Sequence, residues 1–176
     1  MGMFFELIAT LFAGFGGAGI VLILNTLTGG RLPKWLLPVA AGAAMIAMTI
    51  YNEYTWYGRQ TAGLPDSFEV ALSVENRAWF RPWTYVAPYT HRFVAVDRAT
   101  LRTHSGQTGQ VLARLYFFNR WSTVEATDAL VDCDGRRIAL IRGEAPFDDT
   151  GAVIDPDWGP VPEDDRILPI ACEGAG

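Results

Sequence analysis

The sequence predicts a membrane protein in which an N-terminal two-helix transmembrane hairpin precedes a small, mainly β extramembrane domain with an irregular, disulfide-clipped tail. Two long apolar runs, separated by a short polar break, fill the first third of the 176-residue chain. Nearly all of the charge follows them. Of the 14 Lys and Arg residues, 2 precede residue 58, and of the 19 Asp and Glu residues, 2 precede it. The two cysteines, Cys133 and Cys172, both lie in the second, charged part. One hairpin and one small domain account for this length.

The two apolar runs are predicted to be transmembrane helices at about 4–27 and 35–56. The first run contains a single charge, Glu6, and the second contains none before it reaches a group of Tyr and Trp residues that ends near Trp56. A bilayer core takes about 20 apolar residues in helical form, so both runs are long enough to cross it. A cleaved signal peptide is a poorer interpretation, because no basic segment precedes the first run and a second span follows it.

Positive charge and cysteine placement indicate the orientation. The break between the helices carries Arg31 and Lys34, whereas no Lys or Arg precedes the first helix. Short positively charged loops stay in the cytoplasm, so we expect both termini and the C-terminal domain in the periplasm of a bacterial inner-membrane protein. Disulfides persist in that compartment, and the pair Cys133 and Cys172 fits one disulfide. The alternative is two separate buried thiols.

Small residues recur at four-residue spacing on both predicted helices: Ala9, Ala13 and Gly17 on the first, and Ala40, Ala44, Ala43 and Ala47 on the second. Membrane helices associate where small residues let their backbones approach, so these faces are predicted to pack on each other or on another membrane protein. Residues 14–19 match the letters of a G-x-G-x-x-G dinucleotide fingerprint, but that motif needs a preceding strand and an open helix N-terminus. No ionisable residue lies at mid-depth, which argues against transport.

A hinge is predicted at residues 58–67, followed by a periplasmic β domain at 68–176. Apolar residues alternate with period two at the start of this domain, which predicts a half-buried strand. The alternation places four side chains on one face: Phe68, Val70, Leu72 and Val74.

Four further strands are expected at residues 92–97, 111–118, 129–133 and 137–141. An Asp134-Gly135 pair between the last two is a strong hairpin signal. The chain beyond Gly143 is rich in Pro, Gly and Asp, and a short helix from about Pro162 is predicted to deliver Cys172 to the domain.

No constellation of residues predicts catalysis, so we expect a non-enzymatic protein without catalytic, cofactor-binding or metal-binding residues. The histidines, His91 and His104, have no neighbours at metal-ligand spacing. Acidic residues at 148, 149, 155, 157 and 163–165 supply oxygen atoms that Ca²⁺ prefers, but they lack the alternating pattern of a calcium loop and fit solvated turns better. The net charge of −5 argues against a nucleic-acid partner.

The aromatic segment from Trp79 to Tyr89 is the most unusual part of the β domain. Aromatic residues and Arg are enriched at protein interfaces and at membrane surfaces. The candidate contact residues, for a partner or for the membrane surface, are Trp79, Arg81, Trp83 and Tyr85. The alternative is that Trp79 and Trp83 fill the core of a small domain.

Several stretches resemble a family of small two-helix inner-membrane proteins from alphaproteobacteria that carry a periplasmic C-terminal domain. They are GGRLPKWLLP at 29–38, YNEYTW at 51–56, WFRPWTY at 79–85, RFVAVDR at 92–98 and ALVDC at 129–133. The resemblance implies the same source and layout, and it carries no activity or catalytic residue to transfer.

These observations predict an accessory subunit, or an assembly or stability factor, of a larger inner-membrane complex. The expected partners are that complex and the lipid bilayer, and a respiratory complex such as cytochrome bc1 or cytochrome oxidase is the first host to consider. The alternative is a membrane-anchored periplasmic binding or sensor module with the aromatic segment as its ligand surface. A membrane enzyme that acts on lipid or cell-wall precursors is a third interpretation, for which the sequence offers no acid–base pair.

Overall fold

The structure is a computed structural model. It describes residues 2–104, 106–141, 153–161 and 165–174. The chain divides after Trp56 into two compact units, Met1–Trp56 and Tyr57–Gly176. Two long apolar helices make up the first unit, except for the last six residues of the second helix, 57–62. Those residues belong to the second unit, together with an antiparallel sheet and a short helix.

Helix α1 spans Gly2–Leu27 and helix α2 spans Leu36–Ala62. Their 26 and 27 residues correspond to about 39–40 Å at 1.5 Å per residue, which exceeds the roughly 30 Å of a bilayer core. Both helices are long and apolar enough to cross a membrane. Helix α2 continues beyond the predicted end at residue 56, so residues 58–62 are helical and not part of a hinge. The helix ends where Gly63 and then Pro65 interrupt it.

A tight connection joins the two helices. Gly29 and Gly30 adopt φ angles of 69° and 78°, in the left-handed region that glycine enters without steric cost. The backbone N–H of Gly30 donates to the carbonyl of Asn25 at 2.8 Å, and the side-chain Oδ1 of Asn25 accepts from the backbone N–H of Leu32 at 3.0 Å. The last carbonyl groups of α1 and the first residues of the loop therefore have partners within the connection.

Glycines on α1 permit close contact with α2. A methyl group at Gly17 would lie 2.7 Å from the carbonyl oxygen of Ala40 and 2.7 Å from Cβ of Ala44, and one at Gly14 would lie 2.9 Å from Cγ of Met45. Three of the predicted packing residues, Gly17, Ala40 and Ala44, thus meet in one contact. The predicted packing positions Ala9 and Ala13 are half-buried and Ala47 is exposed.

The second unit contains a seven-stranded antiparallel sheet. Its strands are β1 Phe68–Asn76, β2 Tyr89–Asp97, β3 Arg102–His104, β4 Gln107–Asn119, β5 Glu125–Asp132, β6 Arg137–Ile141 and β7 Gly159–Pro160. They are ordered β1-β2-β4-β5-β6-β7, and β3 pairs with β4. The five predicted strands correspond to β1, β2, β4, β5 and β6, while β3 and β7 had not been predicted. Residues 133–136 form the hairpin turn between β5 and β6, and the positive φ falls on Arg136 and not on Gly135.

Two β-bulges change the predicted face pattern of β1. Val70 pairs with Ala95 but Leu72 pairs with Val94, so Ala71 is an extra residue. Phe68 and Val70 therefore lie on one face of the sheet, and Leu72 and Val74 lie on the other. The prediction of one common face for these four residues is wrong, because a bulge reverses the alternation. On β2, His91 is the extra residue of a second bulge.

One face of the sheet carries the main core and is covered by helix α3, Ile167–Glu173. The buried members are Ala71, Val96, Val111, Ala113, Leu115, Ala129, Val131, Ile167, Leu168, Ile170 and Ala171. The backbone N–H of Arg166, directly before α3, donates to the carbonyl of the bulge residue Ala71 at 3.2 Å. The bulge thus supplies an acceptor for the start of the covering helix.

The predicted disulfide between Cys133 and Cys172 is confirmed. It joins the turn after β5 to α3 across 39 positions of sequence. Residues 162–164, where the tail helix was predicted to begin, lie outside the described residues, and the described helix begins at Ile167. Its first backbone N–H donates to Oδ1 of Asp165 at 2.8 Å.

Candidate functional site: the aromatic end of the sheet

The strand register gives the sheet two distinct ends. One end, which we call the aromatic end, carries the β1–β2 connection, residues 77–88, and the β4–β5 connection, residues 120–124. The pairs Asn76 with Tyr89 and Arg92 with Asn119 bring these connections to the same end. The opposite end, which we call the turn end, carries the β2–β3, β3–β4 and β5–β6 connections. A backbone hydrogen bond of 2.9 Å from Arg120 N–H to the carbonyl of His91 ties the second connection to β2.

Trp79 and Phe80 form the tip of a β-turn within the first connection. The turn is closed by a hydrogen bond of 2.9 Å from the backbone N–H of Arg81 to the carbonyl of Ala78. The two tip rings meet edge to face with their centroids 6.0 Å apart. A four-residue 3₁₀ helix, Pro82–Tyr85, follows directly. The hydrogen bond closes the base of the turn, and Trp79 and Phe80 occupy its two central positions. Their side chains are 84% and 61% exposed.

Thr84, which is fully buried, stabilises the same turn. Its hydroxyl accepts from the backbone N–H of Ala78 at 3.0 Å and donates to the carbonyl of Arg81 at 2.7 Å. The guanidinium of Arg81 donates to the hydroxyl of Tyr89 at 3.3 Å and lies 5.5 Å from the ring centre of Phe80. These contacts satisfy the turn's polar groups internally and leave its aromatic side chains outside.

The exposure of these side chains excludes the core interpretation. Trp79 is 84% exposed and Trp83 is 45% exposed, so neither fills the core of the domain. The predicted contact residue Tyr85 is also exposed, and Arg81 is half-buried against Tyr89. The structure therefore brings the four predicted contact residues to one end of the sheet, where three of their side chains face outward.

Other exposed apolar residues at the aromatic end were not among the predicted contact residues. They are Phe80, Val86, Trp121 and Val124. Trp121 and Val124 come from the second connection, 40 residues farther along the sequence, so only the strand register shows that they share an end with Trp79. The ring of Trp121 lies under the guanidinium of Arg120, 4.8 Å from its central carbon. The sequence signal that could have identified Trp121 was a Trp three residues after the strand predicted at 111–118.

Charge at the aromatic end differs from that of the chain as a whole. The two connections contain three arginines, Arg77, Arg81 and Arg120, and no Asp or Glu, although the chain has a net charge of −5. Arg77 is exposed and lies 3.6 Å from Glu75 on β1. The aromatic end is thus mainly apolar. Its accessible guanidinium groups are those of the exposed Arg77 and the half-buried Arg81, since Arg120 is only 8% exposed. Guanidinium groups bind phosphate and carboxylate groups.

A pocket of about 340 Å³ lies elsewhere, beside the β1 bulge. Its walls are Tyr57, Val70, Ala71, Leu72, Ser73 and Arg166. This volume is at the lower limit of small-molecule sites. Within the described residues, no three His, Cys, Asp or Glu side chains are grouped as metal ligands. Of the acidic residues weighed for Ca²⁺, those at 148, 149, 163 and 164 lie outside the described residues.

No protein-family model, no curated protein and no solved structure matches the chain.

Proposed function

We propose that this chain is a non-enzymatic accessory subunit or assembly factor of a larger inner-membrane complex. In this proposal α1 and α2 form a transmembrane hairpin, and the β domain lies in the periplasm. Respiratory complexes collect small membrane subunits, so cytochrome bc1 and cytochrome oxidase are the first hosts to test.

The outward surface of the hairpin supports insertion into a bilayer. Large apolar side chains such as Phe12, Phe15 and Ile23 are each more than 60% exposed. Water disfavours an apolar surface of this extent on a soluble monomer, whereas lipid chains cover it without cost. Thr10 and Thr49 bond their hydroxyls to backbone carbonyls four residues earlier, which satisfies polar groups within each helix.

Two features support a periplasmic β domain. The interhelical connection carries Arg31 and Lys34, and positive connections of this kind stay in the cytoplasm. The disulfide between Cys133 and Cys172 belongs in an oxidising compartment. The two features are independent, since one depends on charge in the hairpin and the other on chemistry in the β domain.

The open glycines of α1 are the observation that carries the proposal of a membrane partner. Gly14 and Gly17 are used by the contact with α2, but a methyl group at Gly16 or Gly19 would meet no described atom within 4 Å. Each glycine inside a helix costs about 1 kcal/mol relative to alanine. Small residues on membrane helices serve close helix association, and the Gly16–Gly19 face is not used for it within the hairpin.

Co-purification from native membranes in a mild detergent tests the proposal. We expect a stoichiometric complex whose other subunits are identified by mass spectrometry. Gly19→Leu is expected to release the chain from that complex while the hairpin stays folded. Gly42→Leu, at an equally open position on α2, is the matched control and should retain the complex. A wild-type chain that purifies alone would contradict the proposal.

A separate experiment tests the orientation. Alkaline phosphatase fused after Gly176 is expected to be active, because this reporter folds only outside the cytoplasm. A fusion to the connection at Arg31 should be inactive. The reverse pattern would place the β domain in the cytoplasm.

A further inference from the structure

We propose that the aromatic end of the sheet rests in the lipid headgroup layer of the bilayer that holds the hairpin. The inference depends on the proposed function in one respect, namely that α1 and α2 span a membrane. In this proposal the aromatic end contacts lipid and not protein.

The residue types at this end are those that prefer a membrane–water interface. Trp and Tyr place an apolar ring among the upper acyl chains and a polar edge among the headgroups. Trp79 and Phe80 stand at the tip of a turn, and Val86 is 90% exposed. Trp121 and Val124 extend the same surface from the second connection. The surface is therefore built from two segments that are far apart in sequence.

The charges at this end match lipid phosphates. Arg77 is exposed and Arg81 is half-buried, whereas Arg120 is buried, and neither connection contains a carboxylate. The guanidinium of Arg81, 5.5 Å from the ring centre of Phe80, holds its charge beside the exposed aromatic side chains, where a lipid headgroup would lie in this arrangement.

The aromatic turn is preorganised for such a contact. Thr84 holds both sides of the turn through its hydroxyl, and Arg81 is held by Tyr89. A turn whose backbone is already fixed needs little further ordering when its tip enters another medium. The turn therefore presents Trp79 and Phe80 without the need for rearrangement.

The chain keeps the β domain within reach of the bilayer. Five residues, 63–67, join the end of α2 to the start of β1, and such a segment spans at most about 18 Å when extended. Within the second unit, Tyr57 packs on Phe93 with ring centroids 5.4 Å apart, and Ser67 accepts from the backbone N–H of Arg98 at the turn end. Between Tyr57 and Ser67 the chain thus runs away from the aromatic end. This direction favours the aromatic end over the turn end as the side turned to lipid.

Site-specific labelling of the full-length chain tests the inference. The native cysteines are paired, so a single introduced cysteine can carry an environment-sensitive fluorophore. The chain is reconstituted in nanodiscs of phosphatidylethanolamine and phosphatidylglycerol. One sample contains lipids with a nitroxide quencher on the headgroup, and a second contains lipids with the nitroxide on the acyl chains. The test sites are Phe80→Cys and Trp121→Cys. Thr103→Cys, exposed on β3 at the turn end, is the matched control, and Phe15→Cys in α1 reports the anchor.

We expect the labels at 80 and 121 to shift to shorter emission wavelength and to lose most of their emission to the headgroup quencher, while the label at 103 keeps its emission. If both test labels behave like the label at 103 while the label at 15 is quenched by nitroxide on the acyl chains, the inference is overturned and the anchor stands. If the label at 15 also escapes quenching, the proposed function itself fails. If the test labels are protected only in native membranes that contain the partner complex, a protein covers this surface and the lipid assignment is wrong.

Discussion

The side-chain hydroxyl of Thr84 accepts a hydrogen bond of 3.0 Å from the backbone N–H of Ala78, across the base of the aromatic turn. Thr84 is fully buried although most of the side chains around it in sequence are exposed. The hydrogen bonds of this one polar side chain therefore give the Trp-rich loop a defined turn conformation. The exposure of Trp79 and Phe80 is a consequence of this internal bonding and not of missing structure.

Removal of the Thr84 hydroxyl is expected to destabilise the turn. Thr84→Val keeps the side-chain volume but leaves the Ala78 N–H without its acceptor, and an unsatisfied donor of this kind costs about 1–3 kcal/mol. We expect a lower midpoint of thermal unfolding in detergent and faster hydrogen exchange at the amides of Ala78 and Thr84. Thr84→Ser, which keeps the hydroxyl, should recover most of the loss. Equal exchange rates in Thr84→Val and the wild type would show that other contacts fix the turn.

The two glycine sets of α1 predict opposite effects of the same substitution. Gly17→Leu places a side chain where even a methyl group would lie 2.7 Å from the Ala40 carbonyl, so the helices must separate. Gly16→Leu points into open space and should leave the hairpin intact. Overpacking of this kind typically costs about 1–3 kcal/mol.

Resistance of the detergent-solubilised hairpin to unfolding in SDS, followed by circular dichroism at the helical band, measures the difference. Gly17→Leu should unfold at a lower SDS fraction than the wild type, and Gly16→Leu should match it. If the two variants unfold together, the close approach of Gly17 to Ala40 does not hold the hairpin.

Sequence patterns located the elements of this fold better than they located its surfaces. Hydrophobic length predicted both apolar helices, alternation predicted the first strand, and turn residues between apolar runs marked four further strands, because all of these signals are local. The bulge at Ala71 could not be predicted from a local signal, because an alanine in an alternating run does not indicate a shift of strand register. The carbonyl of Ala71 accepts a hydrogen bond from the backbone N–H of Arg166, 95 positions later. The position of Trp121 beside the β1–β2 connection depends in the same way on pairing between distant strands. Whether Trp79 is core or surface was likewise decided by a buried threonine that no periodicity singles out.

Two acidic residues predict pH effects of opposite sign on the stability of the β domain. The backbone N–H of Gly135, at 2.9 Å, and the Nε of Arg137, at 2.7 Å, hold the pKa of Asp132 below its usual value. Burial raises the pKa of Asp165, although its bond from Ile167 N–H acts in the other direction. A carboxyl with a lowered folded-state pKa contributes stability that is complete above its unfolded pKa, near 4, and is lost as the pH falls through the folded value. A raised pKa has the reverse effect, since stability is lost as the pH rises from about 4 through the folded value.

Unfolding free energies measured from pH 7 to pH 3 separate the two contributions. Asp132→Asn should lower stability at pH 7, by about 1.5 kcal/mol if one charge-assisted hydrogen bond is lost, and should flatten the acid side of the profile. Asp165→Asn keeps an oxygen that can accept from Ile167 and should raise stability at pH 7 while it steepens the acid side. Identical slopes for the two variants would contradict the environments described for these carboxyl groups.

The disulfide between Cys133 and Cys172 is expected to make a large contribution to the stability of the β domain. A link across 39 positions reduces the entropy of the unfolded chain by an amount worth about 4 kcal/mol in the chain-entropy model. Helix α3 also buries Ile167, Leu168 and Ile170 against the sheet, so the native contacts should form again once the chain folds without the link. We therefore expect the double variant Cys133→Ser, Cys172→Ser to fold, with a markedly lower unfolding midpoint and with its α3 contacts preserved.

Thermal unfolding in detergent, with and without a reducing agent, measures this contribution. Reduction should lower the midpoint of the wild type to that of the double serine variant and should not change the variant itself, because the variant has no bond to break. A thiol titration of the oxidised, denatured wild type should find no free thiol. If reduction and the double substitution leave the midpoint where it was, α3 is held by its buried apolar side chains alone, and the link has little effect on the unfolded chain because residual structure already restricts it.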